Sequence, residues 1–167
     1  MERIGDASKA EAKVLRDIQE IVANLRRLSA ADVTDVPSGI AKLREIRSSV
    51  YENLNQIQHE CLLLRGLAWL LGNGFGPDVE WEWNPRQTGS GREPDLRGTL
   101  QGKIVVSAEA STSENPVGVI DSRMKDTLTK LSLMEGQRFY FVGTATMAMR
   151  AETKVRRANC SIKVVQV

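Results

Sequence analysis

Two carboxylates, Asp95 and Glu109, are the side chains of this sequence whose type and spacing best suit chemistry. They are separated by thirteen residues, and both fall in segments with the pattern of β-strands, so a short connection brings them together as two arms of a hairpin. Mg²⁺ takes oxygen ligands and is usually held by one or two carboxylates together with substrate phosphate. The sequence therefore predicts a Mg²⁺ or Mn²⁺ site at Asp95 and Glu109.

This predicted site depends on how the two strands pair. A two-residue turn at Gln101-Gly102 would point the two acids toward opposite faces of the sheet. A three-residue loop or one β-bulge, for which Gly98 is a natural position, places Asp95 directly opposite Glu109. The metal site thus requires one extra residue in the hairpin.

The elements that must position these acids follow from periodicity and turn residues. Apolar residues at helical spacing predict a helix over 8–29 and a longer helix from about 40 to 71. Strands at 79–83, 95–100 and 103–110 are followed by a helix over 117–134, a strand at 138–142, a helix over 146–157 and a strand at 162–167. This order predicts an α/β domain with an N-terminal helical hairpin, in which residues 1–39 pack on the long second helix of a core formed by residues 40–167.

At these residues the chain resembles the PD-(D/E)xK nuclease superfamily, which includes many restriction endonucleases. Pro94-Asp95 at the start of the second strand, Glu109 late in the third strand, and the order of elements over residues 50–167 carry the resemblance. It implies a restriction endonuclease-like fold, with a mixed central sheet flanked by helices, and Mg²⁺-dependent hydrolysis of DNA. It also implies an additional acid facing the metal on the helix before the first strand. Glu60 stands there, at the edge of an apolar arc where a carboxylate is costly unless it is paired or binds a metal.

The last position of the family motif differs in this chain. The family usually has Lys two residues after the Glu, whereas this chain has Ser111, which cannot supply positive charge. Some members provide the basic group from the following helix, so Lys125, with Arg123 nearby, is the expected substitute. The alternative is a catalytically inactive nuclease fold that binds nucleic acid or a protein partner. A positive charge within about 5 Å of the two acids would count against that alternative.

A heptad stripe along the second helix supports a third class of function. Its members recur at steps of seven: Leu43, Val50, Ile57, Leu64 and Leu71. We favour the first helix, folded back, as the partner of this stripe. Pairing between two copies, which would make a homodimer through the N-terminal helices, stays open. An interaction module built on these helices is therefore the other alternative.

Basic residues are concentrated near the C-terminus, although the net charge of the whole chain is only +2. Six basic residues lie between positions 138 and 163, against a single acid. Such a stretch suits a phosphate backbone, or else a solvated face balanced by acids elsewhere in the fold. The residues predicted to contact DNA are Arg86, Arg92, Arg123, Arg150, Lys154, Arg156 and Arg157.

The remaining features indicate an ordinary globular protein. The chain has 167 residues, of which 41% are apolar and 26% charged, and no apolar run approaches the ~20 residues that cross a bilayer. Because the N-terminus lacks the pattern of a signal peptide, we expect a cytoplasmic protein with no membrane partner. Cys61 and Cys160 are expected to be small buried residues, and His59, the only histidine, is expected at the surface.

Overall fold

Helices and strands follow the predicted order, with one addition at the N-terminus. The structure, a computed structural model, describes residues 1–5, 7–30, 32–84 and 93–167, without the side chain of residue 52. The elements are β1 (Glu2–Ile4), α1 (Ala7–Ser29), α2 (Val36–Gly72), β2 (Glu80–Trp83), β3 (Leu96–Leu100), β4 (Lys103–Ser111), α3 (Val119–Ser132), β5 (Gln137–Val142), α4 (Ala145–Ala158) and β6 (Lys163–Gln166). The short strand β1 is absent from the sequence prediction. Within the described ranges, no helix combines the length and the apolar character needed to cross a membrane.

The six strands form one mixed sheet in the order β1-β2-β3-β4-β5-β6. The first four strands pair antiparallel, whereas β4, β5 and β6 run parallel and are joined by α3 and α4. A parallel pair needs a crossover connection, which these helices supply. The predicted α/β class and the mixed sheet are thus confirmed.

Each face of the sheet carries its own hydrophobic cluster. Phe139 and Phe141 of β5 belong to the cluster shared with α1 and α2, whereas Tyr140 and Val142 belong to the cluster shared with α3 and α4. Successive side chains of a strand point to opposite faces, so the two helix pairs cover opposite sides of the sheet. Glu109 pairs with Tyr140 across the β4-β5 ladder. The residues of β4 that point to the other face, Val106 and Ala108, belong to the α1-α2 cluster. Glu109 therefore lies on the face covered by α3 and α4.

The first helix folds back on α2, as predicted. Asp35 caps α2 by accepting a 2.7 Å hydrogen bond from the Ser38 backbone N–H, and this cap sets where the chain reverses. Ala10 and Val14 of α1 are buried in the same cluster as Ile57 of α2. The heptad stripe is buried only in its middle, around Ile57, because Leu43 and Leu71 at its two ends are 68% and 42% exposed. The homodimer stays a prediction.

The β3-β4 hairpin contains the extra residue that the metal site requires. Gly98 pairs with Val106 and Thr99 pairs with Ile104, so Val105 has no partner and forms a β-bulge. A Cβ at Gly98 would lie 2.8 Å from the Trp81 ring, which explains why glycine occupies the position next to the bulge. Of the two arrangements that would supply the extra residue, a three-residue loop and a bulge near Gly98, the structure has the bulge.

Candidate functional site

Asp95 and Glu109 lie opposite each other, as the bulged register requires. Leu96 pairs with Ala108, and the next opposed residues in this antiparallel ladder are Asp95 and Glu109. Both carboxylates are buried, at 3% and 5% exposure. The Ala110 backbone N–H donates a 2.9 Å hydrogen bond to Asp95 Oδ2, which holds that carboxylate against β4. Two acids with thirteen residues between them in the chain are therefore neighbours in space.

Lys130 of α3 places a positive charge beside this pair. Its Nζ lies 2.8 Å from Glu109 Oε1 and donates a 2.9 Å hydrogen bond to the Glu93 carbonyl. Within the described part of the chain, Oε1 is buried and accepts no hydrogen bond of good geometry, so its contact with Nζ is an ion pair. That oxygen retains capacity for a further donor or a cation.

The ionisation of Glu109 is strongly perturbed. Its pKa is raised from 4.5 to about 7, because burial and the negative charge of Asp95 raise it more than the Lys130 ammonium lowers it. In this environment a substantial fraction of Glu109 is protonated near neutral pH. An additional positive charge in the site would restore the carboxylate, which is what a bound divalent cation supplies.

His59 contacts Asp95, so the expectation that it lies at the surface is wrong. Its side chain is 12% exposed, and Nε2 lies 3.1 Å from Asp95 Oδ2. Adjacent residues of a helix point about 100° apart. The face of α2 that meets the site is consequently that of His59, and Glu60 faces elsewhere.

Glu60 does not join Asp95 and Glu109, contrary to the expectation of a third acid at the metal. Its carboxylate is 1% exposed, and both oxygens lie 2.9 Å from Lys13 Nζ of α1. Gln56 donates a further hydrogen bond of 3.2 Å. A buried carboxylate needs such partners, and here Lys13 of α1 and Gln56 of α2 provide them.

Lys125, the expected substitute for the missing motif lysine, lies on the other flank of α3. It is exposed and lines a cleft between α3 and α4 together with Lys154 and Arg157. Lys130 is five residues further along, about 140° around the helix, and reaches Glu109 instead. The structure therefore corrects the identity of the basic residue while keeping it on the predicted helix.

Two of the basic residues predicted to contact DNA form ion pairs with Asp121. Arg150 Nε and Lys154 Nζ lie 2.8 Å and 3.0 Å from the carboxylate of Asp121, and they hold its pKa well below the usual range. These contacts tie α4 to α3. Arg156 and Arg157 are exposed in the last turn of α4.

The other three predicted DNA contacts fall in different places. Arg123 is exposed on α3 and lines a second cleft beside the two acids. Arg86 and Arg92 fall in the segment 85–92, outside the described residues.

A cleft of about 500 Å³ opens beside the two acids. It is lined by Asn84, Glu93, Asp95, Glu109, Asp126, Thr127 and Lys130. Among the described residues, no three side chains of Asp, Glu, His or Cys are grouped as a ready metal site. Two buried carboxylates at an open cleft fit an ion such as Mg²⁺ or Mn²⁺, which completes its coordination with water and phosphate.

No protein-family model, curated protein or solved structure matches this chain. The structure defines an α/β protein with a mixed six-stranded sheet. In it, Asp95, Glu109 and Lys130 meet beside a cleft on the face covered by α3 and α4.

Proposed function

We propose that this chain is a divalent-metal-dependent nuclease of the PD-(D/E)xK type that hydrolyses phosphodiester bonds of DNA. The observation that carries the proposal is the apposition of Asp95 and Glu109 across the bulged hairpin. The mixed sheet and the element order along β2 to β5 support it. The ammonium of Lys130 beside Glu109 supplies the charge that Ser111 lacks.

The chain's own residues have distinct tasks in this proposal. Asp95 and Glu109 would hold Mg²⁺, and the bound ion would supply an activated water and stabilise charge on the phosphate. The Ala110 N–H fixes the orientation of Asp95, and His59 does the same when Nε2 carries its proton. Lys130 brings positive charge to the side of Glu109, where it would offset negative charge developing on the phosphate.

A catalytically inactive fold is the second candidate. The charge of Lys130 beside Glu109 counts against it, but the same contact also has a purely structural explanation. An ammonium 2.8 Å from Glu109 can neutralise a buried carboxylate without any metal. In that case Lys130 is a structural replacement for the ion, and the cleft serves for binding. Metal affinity separates the two candidates, because only the nuclease requires an ion between the two acids.

Nicking of supercoiled plasmid at low salt with Mg²⁺ or Mn²⁺ tests the proposal. We expect Asp95→Asn and Glu109→Gln to abolish cleavage and to weaken the heat released on Mn²⁺ titration. Lys130→Ala should lower the rate by about a hundredfold or more, the usual effect of removing one charge-stabilising donor.

Lys125→Ala is the matched comparison, because the sequence favours Lys125 and the structure favours Lys130. A loss of cleavage in Lys125→Ala but not in Lys130→Ala would contradict the assignment of the basic residue. If the wild type neither cleaves DNA nor releases heat with Mn²⁺, the nuclease proposal is wrong and the inactive fold is favoured.

A further inference from the structure

A second cleft, of about 600 Å³, adjoins the candidate metal site. Asp126 and Thr127 line both clefts, so the two form one trough along α3. The metal site with Lys130 lies at one end, and Arg123 lies at the other. The second cleft belongs to no step of the reaction described above, so its lining calls for a separate explanation.

The lining of this second cleft has the chemistry of a phosphate site. Ser111, at the end of β4, and the two residues that follow it, Thr112 and Ser113, present three half-buried hydroxyl side chains. Arg123 faces them from α3 and forms no ion pair within the described part of the chain. Hydroxyl groups and a planar guanidinium are the donors that proteins most often direct at phosphate oxygens.

The spacing along the trough suits two successive phosphates of one strand. Glu109 and Ser111 are two residues apart on the same face of β4, which is about 7 Å at strand rise. Arg123 and Lys130 are seven residues apart on one flank of α3, which is about 10 Å along the helix axis. Each cleft therefore has its own cation, at a separation comparable with that of neighbouring phosphates in a nucleic-acid strand.

We propose that the second cleft binds the phosphate adjacent to the scissile one on the same DNA strand, through Arg123 and the hydroxyls of Thr112 and Ser113. The inference rests on the proposed function for the position of the scissile phosphate. It specifies a substrate with at least two successive phosphates in place of a single nucleotide. Asp126 lies between the clefts, and its negative charge repels the strand. Removing this charge should therefore affect DNA binding in the opposite direction to removing the charge of Arg123.

Binding without cleavage is the first test. The probe is a short fluorescent single-stranded DNA oligonucleotide, followed by anisotropy with the wild-type chain in EDTA. Arg123→Gln should weaken binding about tenfold, and should flatten the dependence of log K on log salt by about 0.7, the value for one phosphate contact to a single strand. Asp126→Asn should tighten binding. Arg44→Gln, an exposed arginine of α2 that lines neither cleft, should leave both quantities unchanged.

A neutral phosphate analogue gives a readout that simple structural damage would not reproduce. Methylphosphonate is placed at each position of the oligonucleotide in turn. One position should cost the wild type about tenfold in affinity, as expected for a lost charge-assisted contact, and should cost Arg123→Gln nothing. Equal sensitivity of both proteins at every position overturns the inference, as does the absence of measurable binding by the wild type.

The outcomes also separate this inference from the proposed function. Binding that depends on Arg123 in a chain that never cleaves DNA would leave the phosphate site standing and overturn the nuclease. Cleavage that depends on Asp95, but not on Arg123 or on the position of the methylphosphonate, would support the nuclease and overturn the phosphate site.

Discussion

The charge of Glu109 should make the metal-free protein less stable as the pH rises. Its pKa is raised from 4.5 to about 7 because the carboxyl is buried next to Asp95. Between these two pH values the folded chain holds a proton that the unfolded chain has already released. The free energy of unfolding therefore falls as the pH rises through this range. The shift corresponds to about 3 kcal/mol in the free energy of unfolding. This contribution is fully present below pH 4.5 and is lost above pH 7.

The variant Glu109→Gln isolates this effect, because it keeps the shape of the protonated side chain and cannot ionise. Unfolding in EDTA should give equal stabilities near pH 4, and the variant should be the more stable by about 3 kcal/mol near pH 8. For a domain of this size that difference is about 6–12 °C in melting temperature. Titrating groups outside the site are common to the two proteins and cancel to first order, so the difference reports Glu109 together with the charges of Asp95 and Lys130 that act on it.

Added metal extends the same experiment. Mn²⁺ near pH 8 should raise the melting temperature of the wild type, since binding to the folded state adds to its stability, and should raise that of Glu109→Gln much less. A stability difference between the two proteins that stays constant from about pH 4 to about pH 8 would refute the reasoning, since it would mean that Glu109 ionises normally in the fold.

Three further predictions follow from packing and pairing. Gly98→Ala puts a Cβ 2.8 Å from the Trp81 ring. It should therefore lower the free energy of unfolding by about 1–3 kcal/mol in thermal unfolding and weaken Mn²⁺ binding. Unchanged values would mean that the bulge does not depend on glycine. Glu60→Gln removes the charge that pairs with Lys13 and should cost about 1–3 kcal/mol without altering Mn²⁺ affinity, whereas a large loss of affinity would return Glu60 to the metal site. If the exposed part of the α2 stripe joins two copies, Leu43→Glu should convert a dimer to a monomer in sedimentation; a wild-type monomer would end that prediction.

Periodicity and turn chemistry were sufficient to predict most of the fold. The alternation from residue 79 and the helical spacing of apolar residues predicted the order of all elements except β1. That strand is three residues long, and only its pairing with β2 makes it a strand. The extra residue in the hairpin followed from the assumption that the two acids share one site, which excludes the regular register, but the sequence left open whether a three-residue loop or a bulge at Gly98 supplies it.

Side-chain neighbours on the long helix α2 could not be predicted in the same way. The resemblance marked this helix as one that faces the candidate site, but the sequence pattern could not distinguish His59 from Glu60, which point about 100° apart. Nor could it show that Lys13 of α1 would reach Glu60, because that contact spans 47 residues and depends on how two helices cross.

The basic residue of the site shows where sequence information ends. Helical periodicity is enough to show that α3 has two polar flanks around one apolar stripe, with Lys125 on one flank and Lys130 on the other. Helical spacing sets which residues share a flank, but it does not say which flank turns toward the β3-β4 hairpin. The orientation of α3 depends on how it packs, because the parallel crossover from β4 to β5 lays this helix across the sheet with Lys130 against Glu109 and Lys125 toward α4.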